Sequence, residues 1–351
     1  MNERLRLIAG TQHGLFVWQS NNSGWEEVCH GFADGIIDSI AGCQEHPERL
    51  FVGVTHDGLY RSEDGGKHWS KVLAGDIRAV SVDPTDDDVI YTGAEPICLY
   101  RSEDRGDKWE ELNSLGELPE EVRKNWWFPR PPHQGHVRNI FIHPDDPNTI
   151  YLCLEHGGIV RSFNRGESWE DVSGGIDYLD IHVISSLPHR FHPYFVATAR
   201  GFFTSSDPAQ GWARAENGFT RDYFHDFLFL PPSHEGENPT MLIATADKSP
   251  GYWSRESRGA RAALFRSLDC AKSWHRVGEG LPDNLDPMIW ALVHHPHEPN
   301  AVFAGLGDVA RGHASGSGGA GTILITRDRG ESWQKLNIEL PADRVLWAVA
   351  D

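Results

Sequence analysis

A short turn signature recurs seven times along this chain, and it constrains the fold more than any other feature. It begins with Ser or Thr, places Asp or Asn two residues later, usually adds a Gly, and ends in Trp, as in residues 162–169. The Asp or Asn can accept hydrogen bonds from the amides of its own turn, the Gly adopts a positive φ, and the Trp packs over the hairpin. The copies lie at residues 20–25, 62–69, 102–109, 162–169, 205–212, 267–274 and 326–333.

The spacing of the copies, about 40 to 60 residues, predicts the architecture. A repeat of that length built only from short strands is typical of a β-propeller, with one four-stranded blade per repeat. The chain begins on what reads as a second strand, residues 4–11, and ends on what reads as a first strand, residues 344–350. We therefore expect an all-β, seven-bladed β-propeller over residues 1–351, a single domain in which the C-terminal strand closes the first blade.

Composition limits the partners and the cell compartment. The formal net charge of −19 argues against nucleic acid or an anionic membrane as a partner. No apolar run approaches the roughly 18 residues of a membrane span, and the N-terminus lacks a signal-peptide core, so a cytoplasmic location is expected. The five cysteines are isolated in sequence, which predicts free thiols. The sequence leaves the oligomeric state open.

Three insertions interrupt the regular spacing, at residues 113–135, 248–262 and 308–321. The first joins the fourth strand of one blade to the first strand of the next, and the other two join second to third strands. Because strand direction alternates, all three are expected at the same mouth of the central tunnel, where functional loops on a rigid scaffold commonly lie. Random loop growth is the alternative explanation.

Chemically active side chains recur where the first strands begin and the second strands end. Tunnel walls made only for stability are more often small and apolar, whereas a concave cluster of charged groups is typical of a functional site. The alternative is that Arg–carboxylate pairs simply fill a wet tunnel. The first strands contribute Asp38, Arg78, Arg138, His182, His225 and Trp290; the second strands contribute His13, His56, Glu95, His156, Arg200, Asp247 and Asp308; His136 and Glu155 lie beside them.

One hypothesis for this mouth is a metal site. His13, His56, Glu95 and His156 hold corresponding positions in blades one to four, so their side chains could converge. Three imidazoles and a carboxylate suit a divalent transition metal such as Zn, Fe, Cu or Ni. The hypothesis depends on the fold, because no local metal-binding motif is present.

The seven signatures resemble the Asp-box, or BNR, repeats of β-propellers that include sialidases, xyloglucanases, sortilin-type ectodomains and photosystem assembly factors. The resemblance covers nearly the whole chain and implies the fold. It does not imply one activity or one specific member, because the repeats are structural turns.

A second hypothesis is an enzyme-like pocket for a small anionic or carbohydrate-like ligand, acting by hydrolysis or elimination. Ligand binding would use the guanidinium groups, which can form bidentate contacts with anions, together with aromatic side chains. Acid–base chemistry would use histidines and carboxylates. The predicted ligand-binding residues are Arg78, Arg138, Arg200, Trp126, Trp127 and Trp290, and the predicted catalytic residues are His156, His182, His225, Glu95 and Asp247.

The resemblance bears on that hypothesis in two ways. Sialidases likewise hold a carboxylate with three arginines, but their Phe-Arg-Ile-Pro motif and Tyr–Glu pair have no match here, the nearest string being residues 127–131. Xyloglucanases use two facing propellers and a pair of aspartates, and this chain supplies one propeller. True sialidase activity is therefore not expected.

A third hypothesis is a non-catalytic propeller that binds a protein or peptide, as the sortilin-type and assembly-factor members of the resemblance imply. Trp126 and Trp127 would be the natural contact residues. Capping of the tunnel by these side chains is the alternative role.

Overall fold

The computed structural model describes residues 5–129, 131–187, 193–253, 259–307, 321–338 and 340, and the backbone of residues 345–350. These residues form seven four-stranded antiparallel sheets, so the predicted all-β, seven-bladed β-propeller is confirmed. The chain divides into two compact units, one of residues 38–214 and one of residues 1–37 with 215–351. No helix among the described residues is long and apolar enough to cross a membrane.

The unit of residues 38–214 contains the second to fifth blades. Its strands, in sheet order, are Ile37–Gly42, Leu50–Val54, Gly58–Ser62 and Ser70–Ala74 in the second blade; Asp76–Asp83, Asp86–Glu95, Cys98–Ser102 and Glu110–Glu111 in the third; His136–His143, Asp146–Glu155, Gly158–Ser162 and Glu170–Asp171 in the fourth; and Ile181–Ser186, Tyr194–Thr198, Gly201–Ser205 and Ala213–Arg214 in the fifth. Short 3-10 helices at Asn113–Glu117 and Pro208–Gln210 and one α-helical turn at Glu120–Arg123 lie between them.

The other unit contains the first, sixth and seventh blades. Its strands, in sheet order, are Val345–Ala350, Arg6–Thr11, Gly14–Asn21 and Gly24–Gly31 in the first blade; Tyr223–Leu230, Thr240–Ala246, Ala263–Ser267 and His275–Val277 in the sixth; and Met288–His294, Val302–Gly307, Thr322–Thr326 and Gln334–Lys335 in the seventh. An α-helical turn spans Pro250–Trp253 in the second insertion. Most of the third insertion, residues 308–320 including Asp308, lies outside the described residues.

The first blade joins the two ends of the chain. The strand Val345–Ala350 pairs antiparallel with Arg6–Thr11, in a register that sets Ile8 opposite Val349 and Leu7 opposite Ala350. The prediction that the C-terminal strand completes the first blade is confirmed. The pairing covers what would otherwise be an exposed strand edge.

The turn signatures adopt the geometry that their sequence predicts. In the fourth blade the Ser162 hydroxyl accepts a hydrogen bond from the amide of Gly166 at 2.8 Å, and Asn164 Oδ1 accepts one from the amide of Ser168 at 2.9 Å. Gly166 has φ +91°, and Ala271, which replaces this Gly in the sixth blade, also has a positive φ of 62°. The turn therefore imposes the left-handed conformation even where no glycine is present.

The apolar core lies between neighbouring blades rather than at a single centre. Alternate residues of a strand point to opposite faces, so each sheet packs on both sides. One cluster joins the third and fourth blades: Tyr91 and Leu99 of the third pack with Val137 and Leu152 of the fourth, all fully buried, and Trp169 lies at its edge. The signature tryptophans thus pack against the adjacent blade, which fixes the relative position of neighbouring strand ends.

Candidate functional site

Among the described residues, six blades share a β-bulge near the start of the first strand. In each, the pairing with the second strand skips one residue. Bulges re-aim side chains and are frequent beside active sites. The skipped residues are Arg78, Arg138, His182, His225, Trp290 and, in the first blade, Leu346. The first five of these are among the six first-strand residues aligned from the sequence, so that alignment identified one structural position.

In the unit of residues 38–214, Arg78 is surrounded by carboxylates. Its guanidinium contacts Asp38 at 2.6 Å, Asp76 at 3.0 Å and Glu95 at 2.9 Å. Burial alone would lower the pKa of Arg78, but the three carboxylates outweigh burial and raise it. The Nδ1 atom of His56, an exposed residue, lies 2.6 Å from Asp76. The guanidinium of Arg78 is thus committed to three protein carboxylates rather than held open for a ligand.

His136 links the third blade to the fourth. Its Nδ1 atom lies 3.4 Å from Glu95 Oε2, and its Nε2 atom lies 3.0 Å from Glu155 Oε2. Burial opposes its protonation, but the Glu155 charge and the hydrogen bonds to both carboxylates raise the pKa of His136 to about 9. The hydrogen bond from His136 is also the main reason why the pKa of Glu95 is lowered. His136 is therefore an imidazolium at neutral pH.

Glu155, His156 and Asp180 converge beside this link. Each can offer one oxygen or nitrogen, and these three atoms lie within 4.8 Å of one another. Glu155 ends the second strand of the fourth blade, His156 follows it directly, and Asp180 directly precedes the first strand of the fifth. Arg138 also contacts Glu155 Oε2, at 3.1 Å. We call Glu155, His156 and Asp180 the convergent triad.

The members of the convergent triad have different charge states. Burial raises the pKa of Glu155, but the His136 and Arg138 charges outweigh burial and hold it well below its usual range. Burial, and then the charge of Glu155, raise the pKa of Asp180 to about 7. Burial lowers the pKa of His156. Near pH 7 the triad thus combines an ionised carboxylate, a neutral imidazole and a carboxyl close to its titration point.

Aromatic rings flank the triad. Phe128, from the first insertion, and Tyr178 both meet the imidazole of His156 edge-on, with ring centroids 5.2 Å and 5.8 Å away. The guanidinium of Arg200 lies over Tyr178 at 4.2 Å from the ring centroid. The triad therefore has apolar neighbours as well as charged ones, which is typical of ligand sites.

The two tryptophans of the first insertion have different environments. Trp126 packs against the core shared by the third and fourth blades, and its Nε1 has no hydrogen-bond partner among the described residues. Trp127 is 53 % exposed and stacks parallel on the His133 ring at a centroid distance of 5.1 Å. Only Trp127 is therefore available as a contact surface.

The other unit holds four of the predicted site residues. His225 and Trp290 are buried, with ring centroids 4.8 Å apart in an edge-on contact, and the Trp290 indole donates a hydrogen bond to the carbonyl of Gly307 at 2.8 Å. Asp247 lies 3.3 Å from the guanidinium of Arg261, and His13 is exposed. His225 and Trp290 thus lie buried in the unit of residues 1–37 and 215–351.

The predicted residues therefore come together only in part. Arg78, Arg138, Glu95, His156 and His182 belong to one continuous cluster in the unit of residues 38–214. The predicted metal ligands His56, Glu95 and His156 contact three different partners, which are Asp76, His136 and Asp180. His156 is the one predicted metal ligand that also belongs to the convergent triad.

Sequence reasoning missed Asp180, Asp76, Tyr178 and Phe128. A signal for the two aspartates was present: each stands two residues before a bulged residue, in Asp76-Ile77-Arg78 and Asp180-Ile181-His182. His136-Val137-Arg138 follows the same pattern. Phe128 had no such signal, because the insertion that carries it has no counterpart in other repeats.

A groove of about 830 Å³ lies elsewhere in this unit, at the turn signature of the fifth blade. It is lined by glycine backbone, small hydroxyl side chains and Trp212, and Asp207 is its one titratable side chain among the described residues. It lies at the opposite end of the blade from Arg200, so it is separate from the triad and lacks comparable chemistry.

Comparisons with known proteins agree with this fold. Residues 99–112 match the model of the BNR-Asp box repeat. The chain is 24% identical over 220 residues to an oligoxyloglucan-reducing end-specific xyloglucanase of Emericella nidulans, and the match covers 61% of this chain and 25% of the relative. The chain therefore spans only a quarter of that curated relative.

The similar solved structures include both xyloglucanases and YCF48 proteins. The GH74 xyloglucanase from Xanthomonas campestris superimposes with a TM-score of 0.61 at 16% identity, over 86% of this chain and 45% of that chain. YCF48 from Cyanidioschyzon merolae superimposes with a TM-score of 0.55 at 17% identity, over 86% of this chain and 85% of that chain. A structure of YCF48 bound to D1 peptide gives a TM-score of 0.54 at 17% identity, over 85% of this chain and 80% of that chain. At these identities the likeness supports the shared fold alone.

Proposed function

Because this chain is a seven-bladed propeller of the Asp-box type, we propose that it binds a carbohydrate at the convergent triad and cleaves it by hydrolysis or elimination. The observation that carries the proposal is the meeting of Glu155, His156 and Asp180 within 4.8 Å, beside the rings of Phe128 and Tyr178. Clustered groups with displaced pKa values are typical of catalytic sites.

The balance of charge favours a neutral ligand over an anionic one. The cluster contains five carboxyl groups, against three guanidinium groups and the imidazolium of His136. Arg78 is already held by three carboxylates, and Arg138 is held by Glu155. No excess of positive charge thus remains to attract an anion. The carboxyl groups are Asp38, Asp76, Glu95, Glu155 and Asp180, and the guanidinium groups are Arg78, Arg138 and Arg200.

A sugar fits the mixture of groups around the triad. Its hydroxyl groups need donors and acceptors, which the triad and Arg138 supply, and its apolar ring faces need aromatic neighbours such as Phe128. The names of the related xyloglucanases also support a carbohydrate as the ligand. The chain covers less than half of the length of those enzymes. The proposal of a carbohydrate ligand therefore rests mainly on the side chains around the triad.

Within the proposal the convergent triad acts on the bond that is cleaved. Arg138 and His136 are positioning residues, because both fix Glu155 Oε2 and stabilise its charge. His182 supports Asp180, whose Oδ1 lies 3.6 Å from the His182 Nε2. Glu95 has a supporting role through His136 rather than a direct one. His225 and Asp247 take no part.

The test is a panel of neutral and acidic oligosaccharides, with binding measured by calorimetry and cleavage measured by chromatography of the products. We expect a neutral oligosaccharide to bind and to be cleaved, and Glu155→Gln and Asp180→Asn each to reduce cleavage by about 100-fold or more. Glu121→Gln, an exposed carboxylate on the first insertion, is the matched control and should retain full activity. Failure of every neutral oligosaccharide to bind the native protein would sink the proposal.

A second function, binding of a peptide, is favoured by one observation. Trp127 is half exposed and directly precedes Phe128, which contacts His156 of the triad, and exposed tryptophans commonly dominate protein contacts. YCF48, one structure of which is bound to D1 peptide, also matches over most of its length. Peptide capture lost in Trp127→Ala and unchanged in Glu155→Gln would favour this function over the enzyme.

A further inference from the structure

We infer that the convergent triad is a binding site for a divalent first-row transition metal ion, with Glu155, His156 and Asp180 as its protein ligands. The inference deepens the proposed function, on which it rests only for the role of the ion. The binding of the ion itself can be tested without any carbohydrate.

The first support is the spacing around Asp180. His156 Nε2 lies 3.6 Å from Asp180 Oδ2, and His182 Nε2 lies 3.6 Å from Asp180 Oδ1. Both distances are longer than the range of about 2.7 to 3.2 Å that is usual for an N–H···O hydrogen bond. Two ligands of a tetrahedral ion with bonds of about 2.1 Å stand about 3.4 Å apart. The His156–Asp180 spacing is thus that of two ligands sharing an ion.

The second support is an unsatisfied atom. Asp180 Oδ1 is buried and has no hydrogen-bond partner among the described residues. An unsatisfied buried carboxylate oxygen is costly, so native structures normally supply a partner to it. The oxygen nearer His156 is Oδ2, so a cation bound by both oxygens of Asp180 would satisfy Oδ1 and would offset the repulsion between Asp180 and Glu155. A bridging water is the competing occupant, and it would leave the purified protein metal-free.

The ligand types indicate the class of ion. One imidazole nitrogen and two carboxylate oxygens are a mixed set that suits Mn²⁺, Fe²⁺, Co²⁺ or Zn²⁺ better than Ca²⁺, which takes only oxygen. Three protein ligands leave at least one position for water or substrate, as in catalytic rather than structural sites. A water bound there would be activated for hydrolysis.

Neighbouring groups would orient the ligands. His136 and Arg138 both approach Glu155 Oε2, which leaves Oε1 as the oxygen to face an ion. The edges of the Phe128 and Tyr178 rings fix the plane of the His156 imidazole. Such outer contacts typically change metal affinity by about 10- to 100-fold when removed.

The experiment uses the full chain, stripped with a chelator and titrated with Co²⁺, whose visible absorption reports the coordination directly. Retained metal is also measured by elemental analysis after expression in medium containing Zn²⁺ and Mn²⁺. We expect about one Co²⁺ per chain, and we expect Asp180→Asn and His156→Gln each to weaken binding at least about 100-fold. Circular dichroism and thermal melting show whether each variant is folded.

His56→Gln is the matched control, because His56 occupies the same turn position in the second blade and also contacts an aspartate. It should bind Co²⁺ like the native protein. The inference is overturned if the native protein binds none of the three ions, or if folded Asp180→Asn binds them unchanged. Loss of binding in His56→Gln alone would instead favour the ligand set predicted from the sequence.

The two proposals can fail separately. Metal that binds and depends on Asp180, in a protein that binds no neutral oligosaccharide, would leave the metal site standing and remove the proposed function. Carbohydrate cleavage that is equal before and after chelation would leave the function standing and overturn the catalytic ion.

Discussion

At the scale of single residues, the turn signature shows why glycine is used where it is. Gly166 has φ +91°, and a Cβ added to it would lie 2.7 Å from Leu112 Cδ1 of the preceding blade. Two constraints therefore favour glycine at this position: the left-handed backbone conformation and the lack of room for a side chain beside Leu112. Ala271 shows that the first constraint alone can be tolerated, since it adopts φ 62°.

We predict that Gly166→Ala destabilises the fold by about 2 to 4 kcal/mol, combining left-handed backbone strain with overpacking against Leu112. Ala271→Gly is the matched reverse change. It relieves strain of about 1 to 2 kcal/mol but makes the unfolded chain more flexible, so the net effect is at most about 1 kcal/mol of stabilisation. Urea denaturation measures both. Equal midpoints for native protein and Gly166→Ala would contradict the argument.

Residue-level prediction from the sequence succeeded where the repeat itself defined a position. Arg78, Arg138 and His182 were aligned correctly because each lies at a fixed distance before the turn that closes its strand, and the structure gives each the same bulge. Asp180 was missed because it precedes its strand, although its place two residues before the bulged His182 would have identified it. The contacts of Glu95 could not be predicted either, since they depend on which charged neighbour faces it across a blade boundary.

At the scale of elements, the first insertion combines a buried half and an exposed half. Its helical turns lead into Trp126, which packs on the core between two blades, while Trp127 stacks outside on His133. The two adjacent tryptophans thus have different environments, since Trp126 packs on the core and Trp127 lies at the surface. The sequence alone indicated both as contact residues, because an insertion without periodicity gives no indication of which side faces the core.

We predict that Trp126→Ala destabilises the protein by about 2 to 4 kcal/mol, somewhat below the usual cost for a fully buried tryptophan, because Trp126 is only partly buried. Trp127→Ala should change stability by no more than about 0.5 kcal/mol, as is usual for an exposed side chain. Chemical denaturation of the two variants provides the measurement, each serving as the control for the other. The reverse order of effects would mean that the insertion packs in another way.

At the scale of the whole molecule, the first blade depends on residues from both ends of the chain. Five residue pairs join Arg6–Thr11 to Val345–Ala350. The repeat pattern predicted this pairing, because a blade without a first strand and a first strand without a blade can complete each other. Whether residues 1–351 act as a single domain, as the sequence predicts, stays a prediction.

We predict that a chain ending at residue 344 loses about 5 kcal/mol of stability, taking about 1 kcal/mol for each of the five strand pairs. It should also self-associate through the exposed edge of Arg6–Thr11. Denaturation and size-exclusion chromatography measure the two effects. A synthetic peptide of residues 345–351 added in excess should restore the monomer and much of the stability, and no response to the peptide would contradict the prediction.

The same pairing sets a delay during synthesis. The strand Arg6–Thr11 is translated before its partner Val345–Ala350, which is made more than 330 residues later. At roughly 5 to 20 residues per second, the nascent chain carries that open edge for roughly 17 to 67 seconds. Throughout that interval, neighbouring ribosomes on one messenger RNA carry nascent chains with identical unpaired strand edges, which can pair with one another. The yield of folded protein would therefore depend on chaperones that bind nascent chains rather than on the stability of the finished protein.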